Sequence, residues 1–208
     1  MAKVRSPTTA VPVRNAFREQ QWQEAHERYL VCARTVFERL GYHGATVADI
    51  VVAANGSRAT FYAHFRDKAD IAACLFERTL PSGTAMYHRV VEFPELNREI
   101  VRAWLDEQVL GFWSRHRVEV EAVNHAMAAD PAVAARHYQW IVDAVRLAGW
   151  PGTGVPTGLT RASLLVLQLE RLCYHWLVRG VEHDRDQLLD ILADLWFREL
   201  TVLGEDRP

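Results

Sequence analysis

The stretch from Thr46 to Phe65, TVADIVVAANGSRATFYAHF, leaves the chain the fewest choices. Thr46 followed three residues later by Asp49 is a capping box. The hydroxyl accepts a backbone N–H that the first helical turn leaves unpaired, and the carboxylate reaches back to the Thr46 amide. Val47, Ile50, Val51 and Ala54 then recur at helical spacing, so a short helix follows. Asn55-Gly56 ends it, because both residues tolerate positive φ. Ser57 is placed to cap a second short helix through Arg58, Ala59, Thr60, Phe61, Tyr62 and His64. Asp67 caps a third, opened by Lys68. Two short helices across a tight turn have helix-turn-helix geometry, in which the second helix enters the DNA major groove. An αα-hairpin in an ordinary helical domain would have the same spacing.

The side chains suit the first use. Arg58 can reach guanine edges, and Ala59 and Thr60 can meet a thymine methyl or a phosphate. Tyr62, His64 and Lys68 can donate to phosphates. With Thr46 and Ser57 at the two helix starts, these eight residues form the expected DNA-contacting set. The register of Ala33, Phe37, Gly41, Tyr42, Thr46, Val47, Asp49, Ile50, Ala53, Ala54, Ser57, Thr60, Phe61, Tyr62, His64, Phe65 and Lys68 resembles the DNA-binding domain of the tetracycline-repressor (TetR) family of transcriptional regulators. That resemblance runs from Arg28 to Ile71. It departs from the family in the turn, where Asn55 precedes Gly56, and in the second helix, where Ala59 stands at a position often occupied by glycine.

Charge is distributed in keeping with a nucleic-acid reader at one end. Residues 1–68 carry ten Lys/Arg against six Asp/Glu, a net of +4, whereas the remainder nets −6. Phosphate binding needs the first; the second argues against a protein that coats DNA over its whole surface. No run approaches the roughly 20 apolar residues of a membrane span, and the N-terminus lacks a signal-peptide core, so a cytoplasmic location is expected. Cys32, Cys74 and Cys173 are widely spaced within helical patterns and read as small hydrophobes.

The expected fold is all-α, about nine helices in all. Residues 1–14, with Lys3 and Arg5, form a flexible basic arm. Residues 15–66 are the helix-turn-helix domain, whose first helix, Asn15 to Leu40, stops at Gly41. Residues 67–208 are a helical ligand-binding and dimerisation domain. Its first helix runs from Asp67 to about Leu80, where Pro81-Ser82-Gly83 breaks or kinks it, and in the resembled family this helix links reader to ligand domain. Further helices cover Thr84 to Val91, Glu95 to His116 and Val118 to Ala129. Asp130-Pro131 starts another, to about Ala148. A Gly/Pro loop follows at 149–159, then Thr160 to Arg179 and Arg185 to Leu203. The last two are apolar on more than one face, which points to a four-helix bundle with a second copy through Leu165, Leu169, Leu188, Leu192 and Trp196. The resemblance implies the same dimer.

A C2 dimer presents two reading helices to successive major grooves, so the expected partner is double-stranded DNA with an inverted repeat. The resemblance implies a transcriptional regulator, most often a repressor, and a small-molecule effector. Aromatic walls with a few polar groups suit a flat apolar ligand; the candidates are Trp104, Gln108, Trp113, His125, Tyr138, Cys173 and Trp176. The same aromatics could equally fill a core. Two other classes compete: an architectural DNA binder without a ligand, and a helical metal enzyme built on Glu121 and His125, four residues apart. No nucleophile elbow, zinc-protease helix, P-loop or dinucleotide fingerprint is present, so the chain calls for no cofactor, no metal and no catalytic residue.

Overall fold

The computed structural model describes residues 13–205, with side chains from residue 16. The arm expected over 1–14 lies almost wholly outside them. Every described element is helical: α1 (Val13–Gly44), α2 (Val47–Ala53), α3 (Arg58–His64), α4 (Lys68–Glu77), α5 (Leu80–Glu92), α6 (Arg98–Trp104), α7 (Leu110–Arg115), α8 (Arg117–Ala129), α9 (Pro131–Ala148), α10 (Pro156–Cys173) and α11 (Arg185–Glu205). A π segment, Leu105–Val109, joins α6 to α7, and a second, Tyr174–Val178, extends α10. Among the described residues no helix is long and apolar enough to cross a membrane.

The helix boundaries follow from local hydrogen bonds. Thr46 and Asp49 close the capping box at α2 in both directions. The Ser57 hydroxyl accepts from the Thr60 N–H, Asp67 from Asp70, and Asp130 from Ala132. Gly41, at φ 67°, turns the chain out of α1, and only the last turn to Gly44 continues beyond it. Pro81 and Pro156 behave differently from the breaks expected of them. Each lies in the first turn of a helix, α5 and α10, where the missing N–H would be unpaired anyway and the fixed φ suits helix entry. The loop before α10 is therefore shorter than 149–159.

Helices α1 to α4 pack around Tyr29, Phe37, Ile50, Phe61, Phe65 and Ile71. Helix α4 then lies against α8, α5 against α9, and α11 against α6. One continuous core therefore runs from the N-terminal unit into the C-terminal one. Arg102 ties α6 to α11 through Asp186 (2.7 Å) and Asp190 (2.8 Å), and Arg98 does so through Asp194.

On α10 and α11 most of the residues expected at the dimer seam lie inside their own chain. Trp196 is 0 % exposed, packed inside its own chain on Trp104 and Trp150 at ring-centroid distances of 5.3 and 5.8 Å. Leu165, Leu169 and Leu192 are buried in the same core, and only Leu188 is partly open. One chain covers that stripe because α6 and the Trp150 loop close over it. The apolar side chains left outside are Leu164, 60 % exposed, and Ile191, 57 % exposed. Leu164 lines a groove between α10 and α11 together with Leu165 and Leu195.

Candidate nucleic-acid interface and ligand cavity

Helix α3 is anchored from below and open above. Phe61 is fully buried, edge-on to Tyr29 at 5.7 Å and 5.5 Å from Phe65. Tyr29, also buried, donates its hydroxyl to the Ser57 carbonyl at 2.9 Å and so fixes the turn that precedes α3. Gly56 makes that contact possible, since a Cβ there would lie 2.1 Å from the Tyr29 oxygen. Asn55 supplies the positive φ of 46°. With the inward face held this way, Arg58, Ala59 and Tyr62 point to solvent, Tyr62 being 55 % exposed. Thr46 is exposed at the start of α2, and Ser57 at the start of α3. Thr60 is half-buried, its hydroxyl 2.8 Å from that of Ser57.

Two residues of the expected set turn inward. Lys68 donates to the carbonyls of Tyr42 (2.7 Å) and Ala45 (2.8 Å) and lies 4.4 Å above the Tyr42 ring. It ties the end of α1 to the start of α4, and burial lowers the pKa of its ammonium. His64 lies among Trp22, His26 and Phe65, 4.6 Å from the Trp22 ring, and burial lowers its pKa as well. Residue type alone made both look like phosphate donors. Their direction was set by the packing of α1, which no local pattern reports.

The second site is a recess of about 380 Å³ between α4, α8, α9 and α10. Phe76 comes from α4, Trp113 from α7, Asn124 from α8, His137 and Tyr138 from α9, and Glu170 from α10. A narrow extension toward α5 shares Phe76, Trp113 and Glu170. Of the seven ligand candidates, the structure brings Trp113 and Tyr138 to this recess. Trp104 is sealed in the core, its indole N–H donated to the Met86 carbonyl. Gln108 is exposed in the first π segment, and Trp176 lines a separate surface depression with His183. Cys173 is buried, and desolvation and Glu170 both raise its thiol pKa. Glu170 and Phe76, which do line the recess, carried no signal in the sequence: each is one apolar-helix residue among many until distant helices meet.

His125 serves as a joint rather than a recess wall. Its Nδ1 lies 3.0 Å from Nε2 of His43, at the end of α1, and its ring stacks on Tyr42 at 5.8 Å. Glu121 stands one turn away on α8, at 4.0 Å. Among the described residues no group of three or more His, Cys, Asp or Glu is arranged to hold a metal. Three more polar contacts join the N-terminal helices to the remainder. Arg34 donates to the buried Glu119 at 2.7 Å. Arg136 bridges to Asp70 at 3.3 Å and to Glu77. Arg66 lies 3.4 Å from Asp130. All four joints link α1, α4 or the turn between α3 and α4 to α8 or α9, the helices that wall the recess.

Residues 30–74 match the family model described as bacterial regulatory proteins, tetR family. No curated protein matches the chain. Among solved structures, the chain is similar to a TetR-family transcriptional regulator from Syntrophomonas wolfei (TM-score 0.62, 16 % identity, covering 86 % of this chain and 96 % of that one). It is also similar to the multidrug binding protein EbrR complexed with imidazole (TM-score 0.58, 19 % identity, covering 82 % and 93 %). A TerR/AcrR-family transcriptional regulator from Aquifex aeolicus gives a TM-score of 0.54 at 21 % identity, covering 86 % and 99 %. At these identities the likeness establishes the fold.

Proposed function

Because the chain belongs to the tetR family of bacterial regulatory proteins, whose members are DNA-binding transcriptional regulators, we propose that it is a repressor acting as a dimer on an inverted-repeat operator and released by a small apolar or aromatic ligand. The observation that carries the DNA part is the exposed face of α3, with Arg58, Ala59 and Tyr62 outward over a fully buried Phe61. A reading helix must hold its angle while presenting side chains, and this one is fixed by the Tyr29–Ser57 hydrogen bond and two caps. Leu164 and Ile191 support a two-copy bundle, with the seam on the outward faces of α10 and α11.

Release follows from where the recess lies. Phe76 belongs to α4, the helix that begins at Lys68 and clamps the end of α1. A ligand that seats better when α4 has shifted weakens DNA binding by its differential affinity for the two arrangements, and only by that. The joints at Arg34–Glu119, His43–His125 and Arg136–Asp70 would carry the shift to α1. A fold neighbour named as a multidrug binding protein is compatible with such a cavity. Selection of bound fragments from genomic DNA tests the reading. An inverted repeat with half-sites about one helical turn apart is expected; binding without sequence preference would instead make this an architectural protein.

A further inference from the structure

We propose that the recess takes a flat aromatic molecule bearing a protonated nitrogen, an amidinium or ammonium, with that nitrogen on the Glu170 carboxylate. The inference deepens the effector reading above and rests on its cavity.

Glu170 stands where the recess meets its narrow extension and lines both, as do Phe76 and Trp113. Among the described residues no hydrogen bond reaches its carboxylate, and the group in ion-pair range is His137 Nε2, at 3.7 Å. Burial drives that imidazole down to about 4, so it is neutral and offers no countercharge. Arg171, next along α10, also lines the recess, but its guanidinium lies over the Tyr174 ring at 5.6 Å. Buried carboxylates in folded proteins are ordinarily paired or hydrogen-bonded, because isolating the charge costs several kcal/mol, on the order of what a whole side chain contributes by burial. This one has the neutral His137 beside it and faces a recess with room for a second molecule.

Apart from Arg171, which lies over Tyr174, the rest of the lining suits a cation. Asn124 lines the recess and donates one amide N–H to the Val120 carbonyl; its amide oxygen can accept from a ligand. Phe76, Trp113 and Trp140 line the extension together with Glu170, and aromatic faces attract cations. A neutral carbonyl ligand would find donors in Tyr138, Arg171 and the protonated form of Glu170, but would leave the carboxylate without a countercharge. A cation finds the carboxylate, the amide oxygen and the ring faces together.

Binding a cation also removes a proton from the site. Burial in apolar surroundings pushes the Glu170 carboxyl up to about 8, opposed by Arg171. The other titratable groups facing it are His137 from α9, Tyr87 from α5 and Cys173 from α10, the last two raised by burial. None of those three changes charge between pH 6.5 and 8. An incoming amidinium therefore ionises Glu170, and affinity rises with pH across that window.

The test is calorimetric titration of the full chain with 2-naphthamidine and with its neutral isostere 2-naphthamide, at pH 6.5 and pH 8. The amidine is expected to bind roughly tenfold or more tightly than the amide, with the preference larger at pH 8. Glu170→Gln should abolish the preference and keep amide binding. An amide bound as well as the amidine, no binding of either, or a preference that survives Glu170→Gln would overturn the proposal. Should that variant fail to fold, the pH dependence of the wild-type preference decides: a preference that is flat or falls with pH overturns it. Operator release is read separately. An amidine preference without release supports the site and contradicts the effector reading, whereas release by the amide without preference does the reverse.

Discussion

The two halves of this molecule store their function differently. The part proposed to face DNA is mostly local: the capping box of Thr46 and Asp49, the Asn55-Gly56 turn and the Ser57 cap lie within a dozen residues, and Tyr29 of α1 secures the turn from below. The cavity is assembled: Phe76, Trp113, Asn124, His137 and Glu170 come from five helices spread over almost a hundred positions. A short element can be specified by hydrogen bonds between neighbours in sequence. A cavity exists only after long-range packing, so changes near it act through the core, and changes near α3 act through one turn.

The largest expected effect separates the core from the dimer seam. Trp196→Asp puts a carboxylate where exposure is 0 % and should destabilise the chain by about 3–5 kcal/mol, seen as loss of the cooperative urea transition. Ile191→Asp, on the outer face of the neighbouring turn, should leave that transition near its wild-type midpoint while light scattering reports a monomer. If Trp196→Asp folds and only dissociates, the seam runs through the buried stripe after all.

Gly56→Ala probes the local half. The added Cβ would meet the Tyr29 hydroxyl at 2.1 Å, so about 1–3 kcal/mol of stability should be lost to overpacking, with DNA affinity falling alongside. A variant of unchanged thermal stability would show that the turn is not held by Tyr29.

These two cases also show what could be read in advance. Caps at Thr46, Ser57, Asp67 and Asp130 were legible because each is a side chain bonded to a backbone N–H two or three residues away. Pro81 and Pro156 were ambiguous, since proline ends one helix and opens another by the same missing N–H. Helical periodicity revealed that Leu169, Leu192 and Trp196 are covered, but not that their own chain covers them. Lys68 and His64 have chemistry suited to phosphate, and the packing of α1 that turns them inward is not written in their own stretch. The π segments and Glu170 left no mark on the pattern at all.

The pH response of the assembled half is smaller. The folded pKa of Glu170 is raised above its unfolded value of 4.5, so its contribution is present at low pH and lost as pH rises toward about 8. His137, lowered to about 4, acts in the opposite sense as pH rises through the unfolded imidazole value of 6.5. Between pH 6.5 and 8 the Glu170 effect is on the order of 1 kcal/mol, offset near the lower end by the histidines whose pKa burial lowers. Thermal unfolding should therefore shift down by a few degrees over that window, and Glu170→Gln should flatten the shift. A wild-type midpoint that rises with pH would place the carboxyl in a polar environment.

Ser57→Ala is the smallest change, about 0.5–1 kcal/mol from one lost cap, measured by urea unfolding. No change would mean that the Tyr29 bond alone sets the start of α3.

The most direct measurement concerns Arg58 at the exposed face of α3. Operator and scrambled duplexes are titrated with wild-type and Arg58→Ala protein at one fixed salt concentration. Expected is a loss of about 1–3 kcal/mol on the operator, with little change on scrambled DNA. Equal operator discrimination by the two proteins would contradict α3 as the reading helix.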